Sequence, residues 1–176
     1  MTTYSFRLFD LSGNLLENEF RDDRNQIAYM IRPVPQPRLG FAFPELPSPV
    51  EIVRQPDWGI ALEHEPWRAV LTLADNETLH TVQIGQRQEI SVEEMLRRDE
   101  DGSKRVFVGL DGQEYCWKPA SRRLQCFDAN DGLLAVYEYL VDDPSYAKLD
   151  IKPLGWAMTT EIITTLILTR YDIRRS

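Results

Sequence analysis

The protein has 176 residues, of which 43% are hydrophobic and 27% charged, which is typical of a globular domain and excludes a disordered, collagen-like or coiled-coil chain. Its 28 acidic residues outnumber 20 basic ones, so the formal net charge of −8 opposes general attraction to nucleic-acid backbones. We therefore expect one packed domain over residues 1–176 and no nucleic-acid partner.

The N-terminal sequence MTTYSFRLFD carries Arg7 and Asp10 within its apolar stretch, which is unlike a signal peptide. The most apolar run, residues 162–168, is far shorter than the roughly 20 residues that a membrane-spanning helix needs. These features predict a cytoplasmic protein without a membrane span.

Short runs of alternating or β-branched and aromatic residues recur about every ten residues, as in antiparallel sandwiches and barrels. The runs lie at 4–9, 26–31, 50–54, 59–63, 67–73, 80–84, 105–110, 114–118, 124–127, 134–140 and 148–151. Turn sequences such as Asp111-Gly112 and Asp143-Pro144 separate them. The pattern predicts a mainly β fold with about a dozen strands.

Six of the 11 prolines lie between Pro33 and Pro49, and this density blocks both a helix and a central strand. The sequence therefore predicts a proline-rich loop insertion at 33–49. Its Phe41 and Phe43 can pack on the parent domain or seal a dimer interface. We favour the first alternative and hence a monomer over a homodimer.

Two helices are predicted in the second half of the chain. Ser91 and Glu94 form a capping box, which predicts a short surface helix after Ser91. Residues 160–170 are apolar on all sides and long enough for a buried helix, although their β-branched residues also suit a strand. Glu161 in the first turn and Arg170 in the last favour the helix because they match its dipole.

The order of motifs in the second half resembles a known family. The motifs are Val106-Phe107-Val108, Asp111-Gly112, Tyr115-Cys116-Trp117-Lys118, Leu124, Ala135-Val136-Tyr137 and Glu161-Ile162-Ile163-Thr164-Thr165-Leu166. They resemble an uncharacterised family of small proteins abundant in mushroom-forming fungi, related to the tubby-like, LURP-one-related and scramblase-like superfamily. The resemblance implies a single closed antiparallel β-barrel of about twelve strands with a buried hydrophobic C-terminal helix. It supplies no catalytic residues.

The superfamily also offers a precedent for ligand binding, because tubby-like domains bind membrane phosphoinositides through a basic surface pocket. The corresponding candidates in this sequence are Arg97, Arg98, Lys104 and Arg105, or alternatively Arg122 and Arg123. The alternative is that these residues are solvated side chains at the rim of the domain.

Cys116 and Cys126 are the two cysteines of the chain. If 119–123 is a hairpin loop, Cys116 lies directly opposite Cys126 on the neighbouring strand. Packed thiols, a redox-labile bridge and a metal pair are then the alternatives. Zinc needs two more ligands, and the two histidines, His64 and His80, lack motif spacing. We therefore predict no structural metal and no cofactor.

Seven aromatic residues either line a ligand cavity or fill the core. They are Trp58, Trp67, Tyr115, Trp117, Phe127, Tyr137 and Tyr139. A helix on the barrel axis leaves little internal volume, so we expect a ligand to bind in a surface groove or at the mouth.

No clustered acid, base and nucleophile is visible in the sequence, which favours a non-catalytic intracellular binding or scaffold module. Its partner would be a small molecule, a lipid headgroup or a protein. The alternative is a small hydrolase or isomerase for a small hydrophobic substrate. In that enzyme His64 or His80, with a nearby carboxylate such as Glu63 or Glu65, would be the catalytic acid and base.

Overall fold

The computed structural model describes residues 5–35, 47–59 and 65–176. These residues form a mainly β fold, with thirteen strands in one antiparallel sheet and a long helix at its C-terminal end. The strands are β1 Phe6–Asp10, β2 Asn18–Asp22, β3 Ile27–Pro33, β4 Val50–Arg54, β5 Arg68–Leu73, β6 Leu79–Ile84, β7 Ile90–Ser91, β8 Arg97–Arg98, β9 Arg105–Val108, β10 Glu114–Ala120, β11 Arg123–Asp128, β12 Leu133–Tyr139 and β13 Ala147–Ile151. The mainly β, antiparallel prediction is confirmed.

The strand order is β7-β6-β5-β4-β3-β2-β1-β13-β12-β11-β10-β9-β8. Strand β1 lies between β2 and β13, so the first and the last strand of the sheet are hydrogen-bonded neighbours. Strands β7 and β8 are the two edges, and within the described ranges no ladder of hydrogen bonds joins them. The short helix α1, Val92–Met95, connects these edges.

Helix α1 begins as the capping box predicts. Its N-cap residue Ser91 has extended backbone angles, and its Oγ accepts a hydrogen bond from the Glu94 amide over 3.0 Å. This bond satisfies one amide of the first turn that has no partner inside the helix. The predicted surface helix is therefore confirmed, with Met95 as its buried residue.

The strands present alternate side chains to one buried face. In β13, Ala147, Leu149 and Ile151 are fully buried, whereas Lys148 and Asp150 between them are not. This is the period of two that an extended backbone imposes. The buried face of the sheet forms one continuous hydrophobic core.

The C-terminal helix α2, Thr159–Arg175, follows a 3-10 helix at Pro153–Met158. All twelve residues from Thr159 to Arg170 are buried, so this part of the helix is enclosed on every side. Thr160 is bonded to Tyr29 of β3, and Thr165 to Trp117 of β10, which lie in opposite halves of the sheet. The sheet therefore curves around α2, and the predicted buried helix is confirmed. Among the described residues, no helix has both the length and the hydropathy for a membrane crossing.

Two threonine hydroxyl groups inside the core are satisfied by the backbone of α2. Thr164 Oγ1 donates to the Thr160 carbonyl over 2.7 Å, and Thr165 Oγ1 to the Glu161 carbonyl over 2.8 Å. Such bonds to the preceding turn let threonine occupy an apolar core. Thr169 differs, because its Oγ1 is buried without a hydrogen-bond partner among the described residues.

The predicted insertion at 33–49 joins two paired strands. Pro33 at the end of β3 is opposite Val50 at the start of β4, and the Val34 amide donates to the Pro49 carbonyl over 2.7 Å. Phe41 and Phe43, on which the monomer and dimer alternatives depend, lie outside the described residues. So does nearly all of the strand predicted at 59–63.

Candidate functional site

The N-terminal end of α2 brings two glutamates into the interior. Met158, the N-cap residue, offers no side-chain cap, but the carboxylate of Glu65 faces the Thr159 and Thr160 amides. Glu161 lies within the first turn itself. Negative groups are favoured here because the unpaired amides give the start of a helix partial positive charge.

Glu65 is held by a buried ion pair with Arg54 of β4. Their side chains are 2% and 8% exposed, and Arg54 Nη1 lies 2.5 Å from Glu65 Oε2. Burial raises the pKa of Glu65, while Arg54 and the helix amides act in the opposite direction. Glu65 Oε1 is buried without a hydrogen-bond partner. Arg54 offsets the charge of Glu65. The contacts of Glu65 with Arg54 and with the amides at the start of α2 therefore have a structural role, because they hold the residues before β5 against the helix.

Glu161 is 3% exposed, and its Oε2 accepts a hydrogen bond from the Leu110 amide over 2.9 Å. Burial raises the pKa of Glu161 to about 7, against the effect of the Leu110 bond, and Asp111 and Glu65 raise it further. A carboxyl group with this pKa exchanges protons near neutral pH. Leu110 also accepts a hydrogen bond from Arg87 at its carbonyl, so it links Arg87 to Glu161.

An open cleft of about 730 Å³ lies above these glutamates. We call it the Trp67 cleft, and it is formed by residues 65–68, residues 84–87 and Leu110. The Trp67 side chain is 63% exposed, the largest exposure among the big hydrophobic residues that the structure describes. An exposed indole beside a concave surface is a platform on which planar groups stack.

The wall of the Trp67 cleft depends on a tight turn between β6 and β7. Gly85 has a φ of +58°, which favours glycine, and its amide donates to the Arg68 carbonyl over 2.8 Å. A Cβ atom at position 85 would lie 2.9 Å from the Pro66 Cβ. This close approach packs the turn against Pro66 and fixes the separation of the two walls.

A small cavity of about 30 Å³ adjoins the floor of the Trp67 cleft, since the two share Ile84, Arg87 and Leu110. Glu161 lines this cavity. Its volume is sufficient for one water molecule. The cavity therefore places the Glu161 carboxyl group directly beneath the cleft floor.

His80, one of the two predicted histidines, does not line the Trp67 cleft. His64 lies outside the described residues. His80 is exposed on β6 and lines a second cleft of about 490 Å³, together with Arg98, Tyr171 and Arg175. The two clefts share no lining residue.

The predicted basic cluster is largely engaged by carboxylates. Arg98 and Arg105 both bind Asp172 of α2, and Arg105 is buried and also donates to the Gly102 carbonyl over 2.7 Å. Although burial opposes it, the bonds from these arginines hold the pKa of Asp172 below its usual range.

The other two members of the cluster also have acidic neighbours. Arg97 lies 3.5 Å from Glu114 in an exposed pair, whereas Lys104 contacts Asp99 through its backbone amide over 2.9 Å and not through its ammonium group. Headgroup binding by Arg97, Arg98, Lys104 and Arg105 stays a prediction, and these carboxylates weigh against it.

The predicted opposition of Cys116 and Cys126 is wrong. Cys126 faces Trp117, and Cys116 faces Phe127, because β10 and β11 are joined by a two-residue turn between Ala120 and Arg123. A shift of one residue turns a side chain to the other face of the sheet. Cys126 is therefore buried in the core, Cys116 is half-buried on the outer face, and both are free thiols.

Neither cysteine has the environment of a reactive thiolate. Burial raises the pKa of Cys116 and raises that of Cys126 well above its ordinary value. In the described ranges, no group of three or more histidine, cysteine, aspartate or glutamate side chains is arranged to hold a metal ion.

Residues 14–175 match a family described as "Family of unknown function (DUF6593)". The chain belongs to this family. A search of curated proteins gives no significant match. The X-ray structure of a protein from Arabidopsis thaliana is similar over 98% of this chain and 93% of that chain, with 10% sequence identity and a TM-score of 0.38.

Sequence reasoning missed most of the residues that the site brings together. Trp67 was among seven aromatic candidates, and Glu161 was singled out only for its match to the helix dipole. Arg87 and Leu110 carried no signal, because neither lies in a chemical motif. A charged residue in an otherwise apolar run, as Glu161 is, was the one usable indication of a buried titratable group.

Proposed function

We propose that the protein is a non-catalytic intracellular binding module whose ligand occupies the Trp67 cleft. The observation that carries the proposal is the exposure of Trp67 beside an open cleft of about 730 Å³, a size in the range of small-ligand sites. A ligand that covers the exposed indole removes apolar surface from water, and this burial favours binding in the cleft.

The rigidity of the surrounding structure supports binding at this place. The Arg54–Glu65 pair fixes one wall to the start of α2, and the Gly85 turn packs the other wall against Pro66. A site whose walls are already in position loses little conformational freedom when a ligand binds. We therefore expect the cleft to bind a small molecule without a large conformational change of its walls.

A closed barrel is part of this proposal. Helix α1 connects the two sheet edges, β7 and β8, and residues Thr159–Arg170 of α2 are buried. Near the seam between these edges, the small cavity beside the Trp67 cleft is lined by β6 and Ile90 of β7, by Met95 of α1 and by Val108 of β9. We propose that the barrel closes along this seam, as in the tubby-like, LURP-one-related and scramblase-like superfamily that the sequence resembles.

A ligand screen tests the function directly. Thermal unfolding of the wild type is measured with a library of metabolites and lipid headgroups, beside Trp67→Ala and the control Val141→Ala. Val141 is 58% exposed and follows β12, outside the cleft. Ligands should raise the melting temperature of the wild type and of Val141→Ala, and not that of Trp67→Ala.

Two outcomes contradict the proposal. Ligands that stabilise Trp67→Ala as much as the wild type would place the binding site elsewhere. Chemical conversion of a bound ligand, followed by mass spectrometry, would show that the module is catalytic.

Acid–base catalysis is a second candidate, and the position of Glu161 favours it. Its carboxyl group has a pKa of about 7 and lies beneath the cleft floor, where it is placed to exchange a proton with a bound substrate. His80 lines the other cleft and His64 lies outside the described residues, so at the Trp67 cleft this candidate is argued from Glu161. Turnover of small hydrophobic esters or ketones near pH 7 that is lost in Glu161→Gln would establish this candidate.

A further inference from the structure

The rim of the Trp67 cleft carries a surplus of positive charge in an otherwise acidic protein. Arg68 Nε lies 2.9 Å from one oxygen of Glu51, and Arg32 Nε lies 2.8 Å from the other. Although burial opposes it, these bonds hold the pKa of Glu51 below its usual range, so the carboxylate stays ionised. Two guanidinium groups thus share one carboxylate, and the trio keeps one net positive charge.

Arg87 adds a second positive charge on the opposite wall. It is exposed, and its guanidinium donates to the carbonyl of Leu110, which is a neutral acceptor. In the part of the chain that the structure describes, no carboxylate lies within salt-bridge distance of Arg87. Its charge is therefore available to a ligand in the cleft.

The two glutamates of the site do not cancel this surplus. Glu65 is neutralised by Arg54 in a buried pair. Glu161 is buried under the floor, and because its pKa is about 7 a substantial part of it carries no charge at neutral pH. Of the charged side chains that line the cleft, Arg68 and Arg87 are therefore the two that a ligand meets beside the apolar face of Trp67.

Building on the proposed binding function, we propose that the Trp67 cleft selects small organic anions that join a carboxylate or phosphate group to a flat apolar body. The flat part stacks on the Trp67 indole, and the anionic group bonds to the guanidinium of Arg87, with Arg68 adding to the local field. Guanidinium groups suit both oxyanions because their N–H groups match two oxygens at once.

A set of probes with a common ring isolates the charge preference. Benzoate, phenyl phosphate, benzyl alcohol and benzylamine are titrated into ¹⁵N-labelled protein, and the indole N–H signal of Trp67 is followed by NMR. The Trp67→Phe spectrum assigns that signal. Benzoate and phenyl phosphate should bind about fivefold or more tightly than benzyl alcohol, and benzylamine most weakly, as expected for one charge-assisted contact near the surface. Acetate and inorganic phosphate should bind more weakly than the ring compounds.

Variants assign the preference to the cleft. Arg87→Gln should weaken benzoate about fivefold, Arg87→Lys should weaken it less because the charge is kept, and the exposed control Arg122→Gln should leave it unchanged. Thermal unfolding of each variant checks that the fold is retained.

The outcomes separate this inference from the proposed function. Benzylamine binding as tightly as benzoate, or an Arg87→Gln protein with undiminished benzoate affinity, would overturn the anionic class and leave binding at the cleft intact. Inorganic phosphate binding as tightly as phenyl phosphate would overturn the requirement for a flat body. No shift with either anion would overturn the inference outright, and the Trp67→Ala library screen decides the binding function independently.

Discussion

Arg170 of α2 and Asp10 of β1 form an ion pair in the core, with Arg170 Nη1 3.0 Å from Asp10 Oδ2 and both side chains almost fully buried. The same carboxylate accepts hydrogen bonds from the Gly13 amide, the Asn18 side chain and the Tyr137 hydroxyl. Arg170 Nη2 also donates to the Gly13 carbonyl over 2.8 Å. This network fixes the far end of the helix to the centre of the sheet, and its partners make burial of both charges tolerable.

Removing one member of the pair should therefore be costly. In Arg170→Ala, Asp10 stays buried with neutral donors alone, and we expect a loss of about 3–5 kcal/mol in the free energy of unfolding. Arg7→Ala is the matched control, because the Arg7–Asp150 pair is exposed and should be worth less than about 1 kcal/mol. Urea unfolding of both variants measures the difference. Equal losses would show that the buried network does not stabilise the fold.

The filling of the sheet by α2 gives a second prediction. Leu166 is fully buried, so Leu166→Ala removes apolar contact and leaves a cavity, at a cost of about 2–5 kcal/mol. Ile173, on the last turns of the same helix, is 36% exposed, and Ile173→Ala should cost under about 1 kcal/mol by comparison. Denaturant unfolding measures both, and a small loss for Leu166→Ala would contradict the enclosed position of the helix.

Two threonines of α2 should respond in opposite directions to the same substitution. Thr165 Oγ1 accepts a hydrogen bond from Trp117 Nε1 over 3.0 Å, so Thr165→Val leaves a buried indole N–H unpaired and should cost about 1–3 kcal/mol. Thr169 Oγ1 is already unpaired in the core. Thr169→Val keeps the shape and removes that hydroxyl, so it should be neutral or stabilising. Melting temperatures compare the two, and a drop in both would refute the assignment of Thr169.

Glu161 should make stability depend on pH. Its pKa in the folded protein is about 7, above the ordinary 4.5, because of burial and of the neighbours Asp111 and Glu65, against the Leu110 bond and Arg87. The folded state therefore holds this proton more tightly than the unfolded chain does. The group's contribution to stability falls as pH rises from about 4.5 through about 7, by roughly 2–4 kcal/mol in all.

Glu161→Gln tests this dependence, because the amide cannot ionise and can still accept from Leu110. Unfolding free energies of the variant and the wild type are measured at pH 5 and pH 8. The difference between them should shift in favour of the variant at pH 8. Titrating groups that do not interact with Glu161 are common to both proteins and cancel, so an unchanged difference would exclude ionisation of Glu161 as the cause.

The cysteines should behave as two independent thiols. Cys116 is half-buried on the outer face and Cys126 is buried in the core, so a thiol reagent should modify Cys116 slowly and Cys126 only on unfolding. An oxidant such as diamide should produce no intramolecular disulfide in the folded protein. Mass spectrometry after proteolysis distinguishes these states, and a bridged peptide would contradict the register of β10 and β11.

How well the sequence predicts a strand depends on how clearly apolar and polar residues alternate along that strand. β13, with the sequence AKLDI, was predicted because its apolar and polar residues follow the pleat, and β12, LLAVYEY, was predicted from its β-branched and aromatic residues. β2, with the sequence NEFRD, offers Phe20 as its one large apolar residue and was missed. The edge strands β7 and β8 have two residues each, which is too short for any period to show. Helix α2 was predicted in two ways, from the apolar run at 160–170 and from the family resemblance.

Two features could not be predicted from the sequence, and the reasons differ. They are the register of β10 and β11 and the candidate site. Pro119 and Ala120 belong to β10 and not to the loop, and the resulting two-residue turn shifts the pairing by one residue. Nothing in the local sequence distinguishes this turn from the predicted five-residue loop. The Trp67 cleft joins segments near positions 66, 86 and 110 with the start of α2. Their proximity follows from the path of the whole sheet, so no spacing in the sequence records it.

The pairing of β1 with β13, and the position of α2 inside the sheet, also constrain how the chain is made. The ribosome produces α2 after the thirteen strands that the structure describes, so during elongation inward side chains such as Leu8, Phe20 and Ile52 belong to a core that still lacks its helix. Exposed apolar surface and unpaired strands are the species that aggregate. The nascent polypeptide thus has to be kept from misassociation until α2 is available to fill the sheet.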